Sequence, residues 1–97
     1  NLNPLDIRND AGFLWENFCI LERMKRNKYN NIFANYYFWR TYNQKGINFI
    51  EERDGKLFAY EFKLNKEHSK APSIFLETYK NSQYQTINRE NYYKFLI

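Results

Sequence analysis

Apolar residues follow two rhythms along this chain. From Phe13 to Met24 they recur at helical spacing, with Phe13, Leu14, Asn17, Phe18, Ile20, Leu21 and Met24 on one stripe. Asp10 suits the N-cap, and Lys25 and Arg26 sit in a last turn whose dipole favours cations. The pattern predicts a helix over residues 11–27, preceded by a polar lead-in or linker over 1–9 that contains Asn3-Pro4. The rhythm then changes to β-prone runs. FANYYFWRTY predicts a first strand, broken at 43–46 by NQKG, and INFIEER a second. Asp54-Gly55 is a strong hairpin signal, and KLFAYEFKL after it predicts a third strand.

Residues 65–71 form a polar loop, and Pro72 suits the first turn of a helix running to about Tyr79. YQTIN at 84–88 predicts a fourth strand, and NRENYYKFLI a short closing helix capped by Asn88. The order is α-β-β-β-α-β-α. Strands one to three can form an antiparallel meander, and a helical crossover makes the fourth parallel to the third. The expected class is therefore α/β, or more finely an α+β mixed sheet of four strands with helices on both faces. On the second strand Ile47 and Phe49 share one face and Ile50 takes the other. On the third, Phe58, Tyr60 and Phe62 alternate with Leu57, Ala59 and Glu61.

Composition sharpens this picture. A chain of 97 residues holds one domain, expected over 10–97, and its nine Tyr, nine Phe and two Trp let so short a chain build a core. No uninterrupted apolar run approaches about 18 residues, so no membrane span is expected. The beginning NLNPLDIRND lacks the charged-then-apolar layout of a signal peptide. A lone cysteine, Cys19, excludes an intrachain disulfide and fits a reducing cytoplasm, where the domain is expected to act. Cys19 itself reads as a small packing residue rather than a nucleophile. The net charge of +4 tolerates an anionic partner without demanding one, because the basic residues are scattered. His68 stands alone without partners at zinc spacing. The three glycines, Gly12, Gly46 and Gly55, form no phosphate loop, so ATP is not expected to bind here.

A two-residue turn at Asp54-Gly55 fixes a register that pairs Arg53 with Lys56, Ile50 with Ala59, Phe49 with Tyr60 and Asn48 with Glu61. Lys63 lies on the same face as Glu61. An acid or amide, a Glu and a Lys gathered on a strand pair is the layout of a Mg²⁺-dependent phosphodiesterase. Carboxylate oxygens hold the ion, the ion activates water, and the Lys steadies developing charge.

GFLWENF at 12–18, YYFWRTY at 36–42, KGINFIEE at 45–52, DGKLFAYEFK at 54–63 and INREN at 87–91 resemble a domain of unknown function that follows the ATPase module of prokaryotic AAA-type ATPases. That domain is considered similar to the PD-(D/E)XK nuclease superfamily, whose restriction-endonuclease-like core has the αβββαβ order reached above. The resemblance implies an ATPase domain in the same chain as a partner and DNA as a candidate ligand. It places a helix glutamate on Glu16 and the E-x-K pair on Glu61 and Lys63. The acidic residue of the second strand falls on Asn48, an amide that brings no charge. The implied site is degenerate, with Glu61 and Asn48 holding Mg²⁺ weakly and little or no cleavage.

Plainer readings stand beside these. Glu61 and Lys63 can be surface residues of a half-exposed strand, and Glu16 a solvated helix carboxylate. Trp39 and Arg40 suit a base and a phosphate, but Trp39 suits core packing better. Lys25, Arg26 and Lys28 match a helix C-terminus better than a DNA patch. The leading expectation is a nuclease-fold accessory module, weak or inactive as a nuclease, that binds nucleic acid or organises the ATPase. An active Mg²⁺-dependent endonuclease and a structural docking or oligomerisation module are the competing readings.

Overall fold

The computed structural model describes residues 4–43, 45–65 and 70–97, with side chains described from Ala11 onward. Asn1 to Asn3, Gln44 and the loop segment with His68 lie outside the described residues. Helix α1 spans Pro4–Tyr29. It starts a full two turns before the position expected from the apolar stripe, so Asp10 lies inside the helix and not at its cap. Proline is well suited to a first helical turn, where its missing N–H has no partner to lose. The helix stops at a C-terminal motif built on Asn31, whose φ of 58° is left-handed. Asn31 N donates to Lys28 O at 3.1 Å and Ile32 N to Asn27 O at 2.8 Å, the paired bonds of a Schellman ending.

The sheet contains β1 (Asn35–Arg40), β2 (Gly46–Arg53), β3 (Lys56–Phe62) and β4 (Ser82–Ile87), in the order β1-β2-β3-β4. The first three strands are antiparallel neighbours, and β4 runs parallel to β3 after helix α2 (Ser73–Thr78). Helix α3 (Tyr92–Leu96) closes the chain. Its cap position is Asn91 rather than Asn88. Asn88 instead braces the preceding turn, its Oδ1 accepting from Glu90 N while its own N–H donates to Asn91 Oδ1. The turn forms as expected, with Asp54 and Gly55 at φ of 52° and 76°, both left-handed, and β2–β3 pairing runs from Arg53↔Lys56 to Phe49↔Tyr60, stopping short of the expected Asn48–Glu61 pair where β2 bulges.

Helices cover both faces. Cys19, Phe49, Tyr60, Phe62, Ile87 and Phe95 form the core between the sheet and α1 and α3. Ile47, Ile50, Ala59 and Phe75 form the core under α2. The alternation expected of β3 holds, but Ile47 lies with Ile50 rather than with Phe49. The cause is a bulge: Tyr37 pairs with Ile50 and Trp39 with Ile47, so two residues of β2 stand opposite the single Phe38. The extra residue reverses the side-chain phase at the start of β2.

The inward face of α1 also differs from the expected stripe. Cys19, Arg23 and Asn27 are buried, with Trp15, Ile20 and Met24 packed beside them. Phe13, Leu14, Phe18 and Leu21 are 64%, 65%, 48% and 58% exposed. Arg23 and Asn27 point inward because β2 offers them Glu51, which is completely buried. Arg23 forks onto both Glu51 oxygens at 2.8 and 3.0 Å and also donates to the Phe95 carbonyl at 2.8 Å. Asn27 Nδ2 donates to Glu51 at 2.9 Å and to Tyr36 Oη at 3.1 Å. Arg53 Nε lies 3.1 Å from Glu51 without hydrogen-bond geometry, and its guanidinium stacks 3.9 Å from the centre of Phe58. One buried carboxylate thus ties α1, β2 and α3 together. No helix among the described residues is long and apolar enough to cross a membrane.

Candidate functional site

The bulge that displaces Ile47 also sets Asn48. Its Nδ2 donates to Glu16 Oε1 on α1 at 2.9 Å, and its Oδ1 accepts from Arg40 Nη2 at the end of β1. Arg40 is held from further sides, by Nη1 donating to the Trp39 carbonyl at 3.0 Å and by the Phe38 ring 5.9 Å away. Gly46 makes room for this arrangement, because a Cβ there would overlap the Arg40 side chain and the Trp39 carbonyl. The result is a linear relay, Glu16–Asn48–Arg40, in which an amide separates a carboxylate from a guanidinium.

Glu61 and Lys63 line a cleft of about 560 Å³ on the α2 side, together with Lys45, Lys70, Ser73 and Tyr84. Three lysines and one carboxylate thus line the same cleft, and of the three lysines it is Lys63 that acts on the Glu61 charge. Burial pushes the Glu61 carboxyl above the usual range. The nearby Lys63 opposes that shift, Glu16 adds to it and Arg40 opposes it. Glu61 therefore feels Lys63, Glu16 and Arg40, but the site divides into two units. Glu61 and Lys63 share the cleft, whereas the amide of Asn48 is engaged by Glu16 and Arg40.

That division bears on a divalent cation. Mg²⁺ needs several oxygen ligands, ionised carboxylates foremost. The Asn48 oxygen already receives a guanidinium, Glu16 receives the Asn48 amide, and only Glu61 remains among ammonium groups. Among the described residues, no three His, Cys, Asp or Glu side chains are grouped to hold a metal ion. This donor set does not fit a hard divalent cation. It fits an anion better, since Lys45, Lys63 and Lys70 all line the cleft that holds Glu61.

The other sequence candidates fall on the structural side. Trp39 meets Phe75 edge-to-face at 5.4 Å and belongs to the core under α2. Arg26 donates to the Ile97 carbonyl at 2.9 Å, and Lys25 pairs with Glu22 at 3.0 Å. Cys19 is fully buried, and burial first, then Glu16, pushes its thiol up to about 11. A thiol so hard to ionise is a poor nucleophile. The sequence reading missed Arg40 as the partner of Asn48 and missed Lys45 and Lys70, which come from segments far from the E-x-K pair. It also passed over Glu51, although an acid in phase with Phe49 on a sheet face is a sign of a buried pair.

Residues 11–95 match the model of a family described as a domain of unknown function (DUF4143), and the chain belongs to that family. No curated protein and no solved structure matches this chain.

Proposed function

Taking that membership as the premise, we propose that the chain is a nuclease-fold accessory module of a prokaryotic AAA-type ATPase that grips nucleic-acid phosphates and cuts weakly or not at all. The αβββαβ order and the E-x-K pair at the end of β3 support the nuclease-like core. The relay Glu16–Asn48–Arg40 is the observation that carries the loss of cleavage. An amide stands where a second ionised carboxylate is wanted, and a guanidinium covers its oxygen. The Lys45, Lys63 and Lys70 cleft supplies the charge that a phosphate backbone would meet.

The test is binding of labelled DNA, followed by fluorescence anisotropy across a salt series. Three phosphate contacts give a slope of log affinity against log salt of about −2 to −3. Lys45→Glu with Lys63→Glu should flatten that slope by about two contacts. In parallel, plasmid DNA in Mg²⁺ or Mn²⁺ should survive the natural chain. Asn48→Asp, which restores the carboxylate at equal size, should raise metal affinity in calorimetry. Robust cleavage by the natural chain, abolished by Glu61→Ala, would refute the proposal. So would the absence of salt-dependent DNA binding.

A further inference from the structure

Helix α2 covers only part of its side of the sheet. Its six residues span about 9 Å, whereas the eight of β2 span about 26 Å. Beside the helix the sheet face stays open as a cavity of about 540 Å³, with Tyr37, Ile50 and Leu57 in its floor and Phe75 and Tyr79 in its wall. Trp39 also lines it, with its ring centre 5.4 Å from that of Phe75, and Phe75 lies 5.1 Å from Tyr79, so the aromatic side is one continuous array. A single carboxylate belongs to the lining, that of Glu52, which stands between Asn35 and Leu57 on the same sheet face. We propose that this cavity is a binding site for a small organic cation, an aromatic ring carrying an ammonium group. The aromatic array takes the ring, and Glu52 takes the ammonium.

The charge selects this occupant. Glu52 Oε1 accepts from Asn35 Nδ2 at 3.1 Å and from Tyr37 Oη at 3.2 Å. Both bonds fall on one oxygen and orient the carboxylate, while Oε2 accepts none among the described residues. The bond to Glu52, and then its charge, hold the Tyr37 phenol above its ordinary value, so the phenol keeps its proton and goes on donating. Among the described residues no Lys or Arg forms an ion pair with Glu52, although Lys80 lines the same cavity. An anion would meet the carboxylate as a like charge, and a neutral apolar molecule would leave it without a partner. A divalent metal ion needs several oxygen ligands, and the described residues group no three acids here. An organic cation satisfies both parts of the lining. Its charge meets Glu52, and the ring faces of Tyr37 and Tyr79, which are 50% and 39% exposed, attract it further. Size favours a free small molecule. The cavity falls within the roughly 300–1,000 Å³ of such sites, whereas one Lys or Arg side chain of a protein partner would leave most of it empty.

The inference does not depend on the nucleic-acid reading and is tested apart from it. Three probes of one shape and different charge decide it: phenethylamine, 2-phenylethanol and 3-phenylpropionate. Each is titrated into the nitrogen-15-labelled 97-residue chain near neutral pH and followed by NMR. Phenethylamine should move the backbone amide signals of Glu52 and Tyr79 and the indole N–H of Trp39. Its Kd should be on the order of 1 mM, as suits so small a molecule. The alcohol should bind about tenfold more weakly, since it lacks the charge-assisted bond, and the carboxylate should not bind. Glu52→Gln keeps an oxygen for Tyr37 and Asn35, so the fold is retained while the affinity for phenethylamine falls about tenfold. Lys80→Ala removes a like charge and should raise that affinity about twofold. Equal binding of the amine and the alcohol would overturn the inference, because the cavity would then be merely apolar. Amine binding indifferent to Glu52→Gln would overturn it as well. A preference for 3-phenylpropionate that disappears with Lys80→Ala would assign the cavity to anions instead. No shift with any probe at concentrations on the order of 10 mM would also refute it.

Discussion

Replacing Glu51 by Ala should be among the most damaging single changes in this domain, although Glu51 touches no ligand. Glu51 is fully buried and Arg23 is 5% exposed. Removing the carboxylate leaves the Arg23 guanidinium with only the Phe95 carbonyl and the Tyr60 hydroxyl, and leaves Arg53 without its counter-charge. An uncompensated buried charge of this kind costs about 3–5 kcal/mol. A small domain holds only about 5–15 kcal/mol in total. The midpoint of thermal unfolding should fall by roughly 12 °C or more. Urea unfolding followed by the fluorescence of Trp15 and Trp39 measures the loss directly. Arg23→Met with Glu51→Leu removes both charges at once and should cost clearly less than the sum of the two single changes.

The same pair has a pH signature. Burial alone would raise the Glu51 carboxyl. The hydrogen bond and charge of Arg23, then Asn27 and Arg53, outweigh burial and hold it below the usual carboxylate range. A depressed folded pKa contributes stability that is present above the unfolded value, about 4.3 for glutamate. That contribution is lost as pH falls through the folded pKa. The gap in stability between the natural chain and Glu51→Gln should therefore be full at neutral pH and close in acid. A loss below about 1 kcal/mol for Glu51→Ala, or strict additivity in the double variant, would refute the reasoning, because either would mean that the pair is hydrated rather than buried.

Glu61 should behave with the opposite sign, because its carboxyl is raised by burial. Its contribution to stability is present below the unfolded pKa and lost as pH rises through the folded one, so Glu61→Gln should match or exceed the natural melting temperature at pH 7 and lose that advantage near pH 4. Phe62→Ala opens a cavity among Trp15, Phe49 and Phe95 and should cost about 3–5 kcal/mol in chemical denaturation. Phe18→Ala, from the exposed side of α1, should cost under about 1 kcal/mol when measured at dilute protein. Gly46→Ala should push Arg40 aside and break its hydrogen bond to Asn48, which a change in the side-chain amide chemical shifts of Asn48 would report.

The parts of the fold legible in the sequence are those fixed by neighbours along the chain. Asp54-Gly55 demands left-handed φ at two successive positions, and that alone sets the register from Arg53↔Lys56 to Phe49↔Tyr60. The period of two in KLFAYEF assigns the faces of β3 correctly because both faces are covered by helices. Helix α1 exceeds this local logic. Phe13, Leu14, Phe18 and Leu21 form as good an apolar stripe as any core helix, so residue type points to the wrong face. Burial is decided instead by Glu51, far away on β2, which draws Arg23 and Asn27 inward. An acid in phase with Phe49, paired with a basic residue on the helix, was the available signal.

The site divides along the same line. Glu61 lies near the end of β3 and Lys63 just past it, its N–H still bonded to the Ile87 carbonyl, so their common face follows from the continuing pleat. Asn48 is different, because a bulge is set by how β1 and β2 twist together and by what lies across Gly46. With Arg40 packed over that glycine, β2 gains an extra residue opposite Phe38 and the Asn48 amide goes to Glu16 and Arg40. A carboxylate at position 48 would meet Arg40 as an ion pair and Glu16 as a like charge. Ionising it would then favour a cation between the two acids, in competition with the guanidinium. Asn48 removes that requirement: the amide donates to the acid and accepts from the base, so the relay is satisfied without an ion. The exchange of a charge for an amide thus changes what the site can hold, leaving the lysine-lined cleft around Glu61 as the part of the molecule open to an anionic partner.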